Sequence, residues 1–266
     1  MTSGWDDYER AASAAGVEVR LLDAAERAGA VALWESIWGG AVLESHLLTA
    51  LAHTGNYVGG AFADGALVGA AAGFFAQPVG TAMHSHVAGI APHAAGRGVG
   101  TALKLHQRAW CLDLGVREMT WTFDPLVARN ASFNLSRLGA CCDAYLVNHY
   151  GAMTDGLNAG DETDRIVARW LLDRALPAAR PALPADAVAA LVADAQGRPE
   201  AIAAPADASA VTVATPADFV ELRRSDPARA LAWRRAVRLA LAPRLDDGWT
   251  VTAVTRGAGY VLERTS

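Results

Sequence analysis

Three glycines at alternate positions, Gly96, Gly98 and Gly100, with Arg97 and Val99 between them, form the stretch of this sequence best suited to hold a charged ligand. Glycine reaches positive φ without strain, so the run can curl and aim several backbone N–H groups into one hollow, which suits a phosphate. From Thr101 onward Ala102, Leu105, Ala109 and Leu112 recur at helical spacing, and Gly115 stands where a C-terminal cap belongs. The turn thus coincides with a helix N-terminus, where unpaired amides and the helix dipole each favour an anion by about 0.3–1 kcal/mol when exposed. The nucleotide patterns G-x-x-x-x-G-K-[ST] and G-x-G-x-x-G do not fit these intervals. Just upstream, His84, His86, Ala88 and Ile90 alternate with Ser85, Val87 and Gly89 in the period of a strand that Pro92 ends. An imidazole, with a pKa of about 6.5, is mostly neutral at pH 7 and can take a proton, which makes His86 the candidate base. A hydrogen-bonded buried histidine explains the residue equally well. His84 and His86 could also chelate a metal, but no third ligand stands at a suitable spacing, so no metal is expected.

Other polar groups are ambiguous from sequence. Asp124, ending the strand-like REMTWTF, can orient a histidine or accept a proton, or simply shape the turn before Pro125. Asn130 and Asn134 lie one helical turn apart and can contact a ligand, although capping alone accounts for Asn130. The segment His149 to Arg165, HYGAMTDGLNAGDETDR, carries Asp155, Asp161, Glu162 and Asp164 among glycines. It reads either as a functional loop whose carboxylates attract a cation or as a solvated acidic loop.

The elements that must position these groups follow from periodicity. Val17 to Leu22 reads as a first strand, and Asp23 with Glu26 as a capping box before a helix carrying Val31, Trp34 and Trp38 on one face. A second helix runs from about Glu44 to Ala52. Residues Asn56 to Phe62 and Ala66 to Phe75 flank Asp64-Gly65 as a hairpin. The histidine strand, the glycine turn and its helix come next, then Arg117 to Phe123 as a strand and Asn130 to Gly139 as a short helix. Cys141 to Val147 and Arg165 to Leu171 are strands. Three prolines and no clear period between Asp173 and Asp186 read as a linker. Beyond it, short strands, a helix opened by Asp226-Pro227 and a closing hairpin suggest a small α+β unit. The expected domains are 1–173, a linker at 174–186, and 187–266. Arg229, Arg234, Arg235 and Arg238 are expected on the solvated face of the late helix.

The glycine stretch resembles motif A of the GNAT superfamily of N-acetyltransferases, written roughly [QR]-x-x-G-x-[GA] after a strand ending in an apolar residue, x and Pro. Here the register is Ala95-Gly96-Arg97-Gly98-Val99-Gly100, preceded by Ile90-Ala91-Pro92, with Ala95 departing from the usual Gln or Arg. The resemblance covers about residues 15 to 173. It implies a GNAT-type α/β (α+β) fold with a mixed, mostly antiparallel central sheet flanked by helices, followed by the smaller C-terminal unit. It also implies that Gly96, Arg97, Gly98, Val99, Gly100 and Thr101 hold the diphosphate of acetyl-CoA or another acyl-CoA. Gly89, Ile90 and Ala91 on the splayed strand, and Asn130, would receive its arm. Trp34, Trp38 and His46 would line the acceptor pocket, although both tryptophans also read as core. The family's thiolate-protonating Tyr would fall at Leu135, a departure that Tyr145 or Tyr150 could make good. HSHVAGIAPH, WTFDPL, RNASFNLSRLG and YGAMTDGLNAGD look like a longer branch of the superfamily with a C-terminal extension. Some members of that branch accompany an N-succinylamino acid racemase and are taken to succinylate amino acids. The implied activity is N-acyl transfer, acetyl or succinyl, to a small amine such as an amino acid, with His86 and Asp124 as catalytic candidates. Arg97, Arg129 and Arg137 are the nearby cations for a succinyl carboxylate. A non-catalytic coenzyme A-binding regulatory or interaction protein is the alternative.

Composition sets the outer bounds. The chain is 52% hydrophobic and 19% charged over 266 residues, so it can bury a full core. No apolar run approaches the roughly 20 residues a spanning helix needs, so no membrane partner is expected. A net charge of −5 argues against a nucleic-acid partner. The acidic start, MTSGWDDYER, has no apolar core of a signal peptide, so a cytoplasmic location is expected. A homodimer is compatible with the reading. Cys111, Cys141 and Cys142 lack metal-type spacing and read as reduced, packed thiols.

Overall fold

The computed structural model describes residues 4–40, 42–151, 162–179, 181–255 and 257–264. They fall into two compact units, one within Met1–Trp121 and Leu171–Ala175, the other within Thr122–Met153, Gly160–Trp170 and Leu176–Ser266. The chain therefore changes units inside a strand rather than at the proline-rich stretch 174–186. Both units are mixed α/β with mostly antiparallel strands, as expected.

In the first unit, α1 (Gly4–Ala15) precedes β1 (Glu18–Leu21), α2 (Arg27–Trp38), α3 (Ser45–His53), β2 (Val58–Ala63), β3 (Ala66–Ala76), β4 (Ala82–Ile90), α4 (Val99–Asp113) and β5 (Glu118–Phe123). Strands β1 to β4 form an antiparallel meander, and β5 adds to β4 in parallel. Asp64 (φ 48°) and Gly65 (φ 78°) make the tight hairpin turn that the Asp-Gly pair predicts. Against one face of the meander packs a cluster of Leu22, Ala30, Trp34, Leu48, Val58 and Val87. Trp34 is a core residue, its Nε1 donating to Ala70 O at 3.2 Å, while Trp38 packs at the rim and His46 is exposed. Asp23 and Glu26 do cap each other's backbone N–H groups, at 3.0 and 3.1 Å, one turn before α2 begins.

Helix α1 gives little sequence signal because it buries only Asp7, Ala12 and Ala15. Its anchor is polar: the Asp7 carboxylate meets the buried Arg108 guanidinium of α4 at 2.7 Å. Arg108 also donates to Leu172 O at 2.7 Å and Arg174 O at 3.1 Å. With α1 on its outer side and the sheet on its inner side, α4 buries Lys104, His106, Gln107 and Arg108 besides its apolar positions.

In the second unit, α5 (Ala128–Ala131) continues into a π-helical segment, Ser132–Arg137, in which Leu138 N–H bonds Phe133 O at 3.1 Å. Then come β6 (Cys141–Leu146), β7 (Arg165–Leu171), β8 (Val188–Ala193), β9 (Pro199–Ala201), β10 (Ala210–Val213), α6 (Phe219–Ser225), α7 (Pro227–Asp246), β11 (Trp249–Thr255) and β12 (Gly259–Arg264). The strand order is β7-β6-β11-β12-β10-β8-β9, antiparallel except for β10 beside β8. The hairpin β11–β12 thus continues the sheet begun by β6 and β7. Asp226 opens α7 by accepting from Arg229 N at 3.0 Å, as the Asp-Pro pair predicts. Asn130, expected as a helix cap, instead lies exposed within α5, whose first turn has no side-chain cap.

Candidate active site

The first unit brings most of the sequence-predicted site onto one strand–turn–helix. Gly96 (φ 78°) and Gly98 (φ 91°) adopt the left-handed conformation, and Gly98 is the N-cap of α4. Ala95 to Gly98 are exposed, whereas Val99 is buried and seats the helix. Ala95 N–H returns to Pro92 O at 3.2 Å, and Thr101 N–H to Gly98 O at 2.9 Å. Among the described residues, the N–H groups of Gly96, Arg97, Gly98, Val99 and Gly100 find no acceptor in the protein. The turn therefore presents five consecutive donors at a helix N-terminus, and Thr101 contributes no free amide.

Strand β4 is irregular where the candidate base stands. Ala72 pairs with Val87 but Gly73 with Ser85, so His86 is the extra residue of a β-bulge. The bulge exchanges faces: Ser85 points at α4, while Val87 joins the α2-side cluster. Parallel pairing with β5 stops at His84↔Thr120. The bulge lies three residues before Gly89. A Cβ on Gly89 would stand 2.8 Å from both Ile37 and Trp34, so its glycine answers to packing under α2.

The His86 ring lies 5.8 Å from Phe74 and 6.1 Å from His84, whose Nδ1 is 3.4 Å from Thr120 Oγ1. Partial burial lowers the His86 pKa below its ordinary value, so the ring is neutral at pH 7. Among the described residues no group of three or more His, Cys, Asp or Glu could hold a metal.

Behind β4 is a polar cluster that the sequence reading missed. Lys104 Nζ donates to Ser85 Oγ at 2.7 Å and stands 4.0 Å over the Trp121 ring, and Ser85 donates to Gln107 Oε1 at 2.9 Å. Burial brings the Lys104 pKa down to about 7 and takes the Cys111 thiol up to about 12. His106, bonded to Tyr57 at 2.8 Å, is lowered by burial to about 4. The one signal available beforehand was a lysine inside an otherwise apolar turn, Ala102-Leu103-Lys104-Leu105.

The second unit places Asp124, Asn130, Tyr145 and the carboxyl end of the acidic segment. Asp124 is held by both terminal nitrogens of Arg234, at 2.8 and 2.9 Å, and also accepts Leu126 N at 2.9 Å. Arg234 is fully buried over Phe219. The expectation that Asp124 accepts a proton or orients a histidine gives way: its oxygens are committed to a bidentate ion pair. Arg238 likewise clasps Asp164 at 2.8 and 2.9 Å and pairs with Glu162. Arg234 and Arg238 are thus not on a solvated face; a buried helix side can be charged where carboxylates meet it. Tyr145 donates to Asp164 at 2.6 Å, and burial first, then Asp164, raise its pKa. Burial pushes the Asp164 pKa up, but Arg238, Tyr145 and the Asn148 N–H more than offset it and the net shift is downward. Leu135 is core, and Tyr150 is exposed with its hydroxyl 3.1 Å from Thr122 Oγ1. Asp155 and Asp161 lie outside the described residues.

A meander, a bulged fourth strand, a parallel fifth strand that leaves it early, and a glycine turn opening the intervening helix define an N-acetyltransferase fold. Residues 19–139 match the acetyltransferase (GNAT) family, so the chain carries a GNAT acetyltransferase domain over that span. Among solved structures, the chain resembles the ribosomal-protein-S18-alanine N-acetyltransferase of Escherichia coli, with 15% identity and a TM-score of 0.50 over 60% of this chain and 96% of that one. It also resembles a GNAT superfamily phosphinothricin acetyltransferase of Sinorhizobium meliloti in complex with AcCoA, with 18% identity and a TM-score of 0.49 over 64% of this chain and 94% of that one. No curated protein sequence matches the chain. No described helix is long and apolar enough to cross a membrane.

Proposed function

We propose that the protein is an acyl-CoA-dependent N-acyltransferase that acetylates a small amine, an amino acid being the acceptor class, with succinyl as the other acyl group in view. The observation that carries this reading is the row of five unbonded amides from Gly96 to Gly100 at the N-terminus of α4. The fit is one of donor set: a diphosphate needs several converging N–H groups without competing protein acceptors. Gly89, Ile90 and Ala91 carry the strand edge along which the coenzyme arm would run. Acyl-coenzyme A supplies a thioester carbonyl for attack by a neutral amine.

The chain's own residues then have two tasks. An alkyl ammonium has a pKa of about 10.4 and must lose a proton before it reacts. His86, neutral and half-buried on the bulge, takes that proton on a ring nitrogen. Backbone N–H groups around the bulge polarise the carbonyl, which needs no side chain. With Tyr145 bound to Asp164 and Leu135 in the core, the thiolate, at a conjugate-acid pKa near 8.5, leaves without a tyrosine acid.

Leu135 also favours a second reading, a coenzyme A-binding protein without turnover. Thiol release from acetyl-CoA and succinyl-CoA across an amino-acid panel, with thermal shifts for the same donors, separates the two. A ligand at 100 times its dissociation constant adds about 2.7 kcal/mol. Thiol release with an amine supports the transferase; a thermal shift without release supports the binding protein; neither overturns both.

A further inference from the structure

We propose that the second unit carries a separate binding site for a small molecule bearing a carboxylate or phosphate, with Arg129 as its cation. A cavity of about 480 Å³ opens between α5, its π-helical continuation, the end of β11 and the strand-to-helix connection after β10. That volume lies in the range of small-molecule sites. Arg129 lines it together with Ser132, Thr215, Val254, Thr255 and Gly257. Among the described residues, the side chains of Arg129, Ser132 and Thr215 have no hydrogen-bond partner in the protein.

Donors gathered beside a cavity without a protein acceptor are satisfied when a ligand accepts from them. Among the described residues no carboxylate lines the cavity, although the chain as a whole carries a net charge of −5. A guanidinium and the two rotatable hydroxyls of Ser132 and Thr215 present donors without a competing acceptor charge, which matches an oxyanion. Ser132 also begins the π-helical turn, a rare geometry that widens the backbone and recurs at functional sites. The site stands independently of the acyl-transfer reading, since none of its observations uses the glycine turn.

The test is calorimetric titration of the full chain, its glycine turn first saturated with coenzyme A, with inorganic phosphate and, separately, malonate, repeated with Arg129→Gln, Arg129→Lys, Ser132→Ala and Arg97→Gln. Saturable binding of either anion is expected. The dissociation constant should rise at least tenfold in Arg129→Gln, rise in Ser132→Ala, be largely restored in Arg129→Lys, and be unchanged in Arg97→Gln. Phosphate binding alone points to a phosphorylated ligand, malonate alone to a carboxylic acid. Arg129 is exposed, so its variants should fold and decide the matter even if Ser132→Ala does not. Absence of saturable binding, or binding that survives Arg129→Gln, overturns the proposal. Loss in Arg97→Gln alone places the anion on the glycine turn and does the same.

Discussion

His86 and Lys104 flank the same short piece of β4 from different sides and differ in what burial does to each. Burial lowers both pKa values because it disfavours the cation. For His86 the result is a base that stays neutral to lower pH than a free imidazole. The acid limb of kcat/KM should therefore fall below pH 6.5, and His86→Ala should lower kcat at saturating amine by about 100-fold and flatten that limb. An unchanged pH–rate profile removes His86 from the reaction. For Lys104 the consequence is a stability gradient. Its folded pKa of about 7 lies below the unfolded value near 10.5, so the unfolded chain binds more protons between those limits and stability rises with pH. Urea unfolding should show a gain of about 1.5 kcal/mol from pH 7 to 8.5, absent in Lys104→Met. A matching gain in the variant would mean that another group titrates. The glycines and histidines were legible in the sequence because their types imply their chemistry. The roles of Asp124 and of the arginines were not, because a bidentate pair 110 residues apart leaves no local pattern.

Among the elements, the glycine turn and α4 were the most legible, since strand period, proline, glycines and cap all agree over one short stretch. The bulge in β4 was not: one added residue changes which face each side chain takes, and the alternation of His84, His86 and Ala88 reads the same with or without it. Nor was α1, whose buried face is two alanines and an aspartate. The turn gives a prediction that separates strain from binding. Gly98 and Gly115, at opposite ends of α4, both hold positive φ, at 91° and 78°. Alanine at either should cost about 1–2 kcal/mol of stability. Only Gly98→Ala should also raise the KM for acyl-CoA, because only it disturbs the row of free amides. Equal KM effects at both ends would point to general loosening of the helix.

At the scale of the whole molecule, sequence reading located the GNAT-like stretch and the presence of a later α+β segment. It could not foresee that β11 and β12 extend the sheet of β6 and β7, since strand partners so distant in sequence are chosen by packing. The pairing Val251↔Cys142, with the ion pairs of Arg234 and Arg238, makes the last third of the chain part of one compact unit with residues 122–151. Arg234→Met should cost about 3–5 kcal/mol in urea unfolding, since it leaves Asp124 nearly buried without its cation. Asp124→Asn together with Arg234→Met should cost less than the sum of the two single changes. Additive losses would mean the pair is not coupled.

Arg108 finds its carbonyl acceptors 64 and 66 residues further on, at Leu172 and Arg174. On a ribosome, which releases the chain from its amino end, the first 121 residues emerge with this guanidinium supplied by Asp7 but still lacking those two oxygens. Arrested nascent chains should accordingly resist protease over α4 only once residue 174 has cleared the exit tunnel.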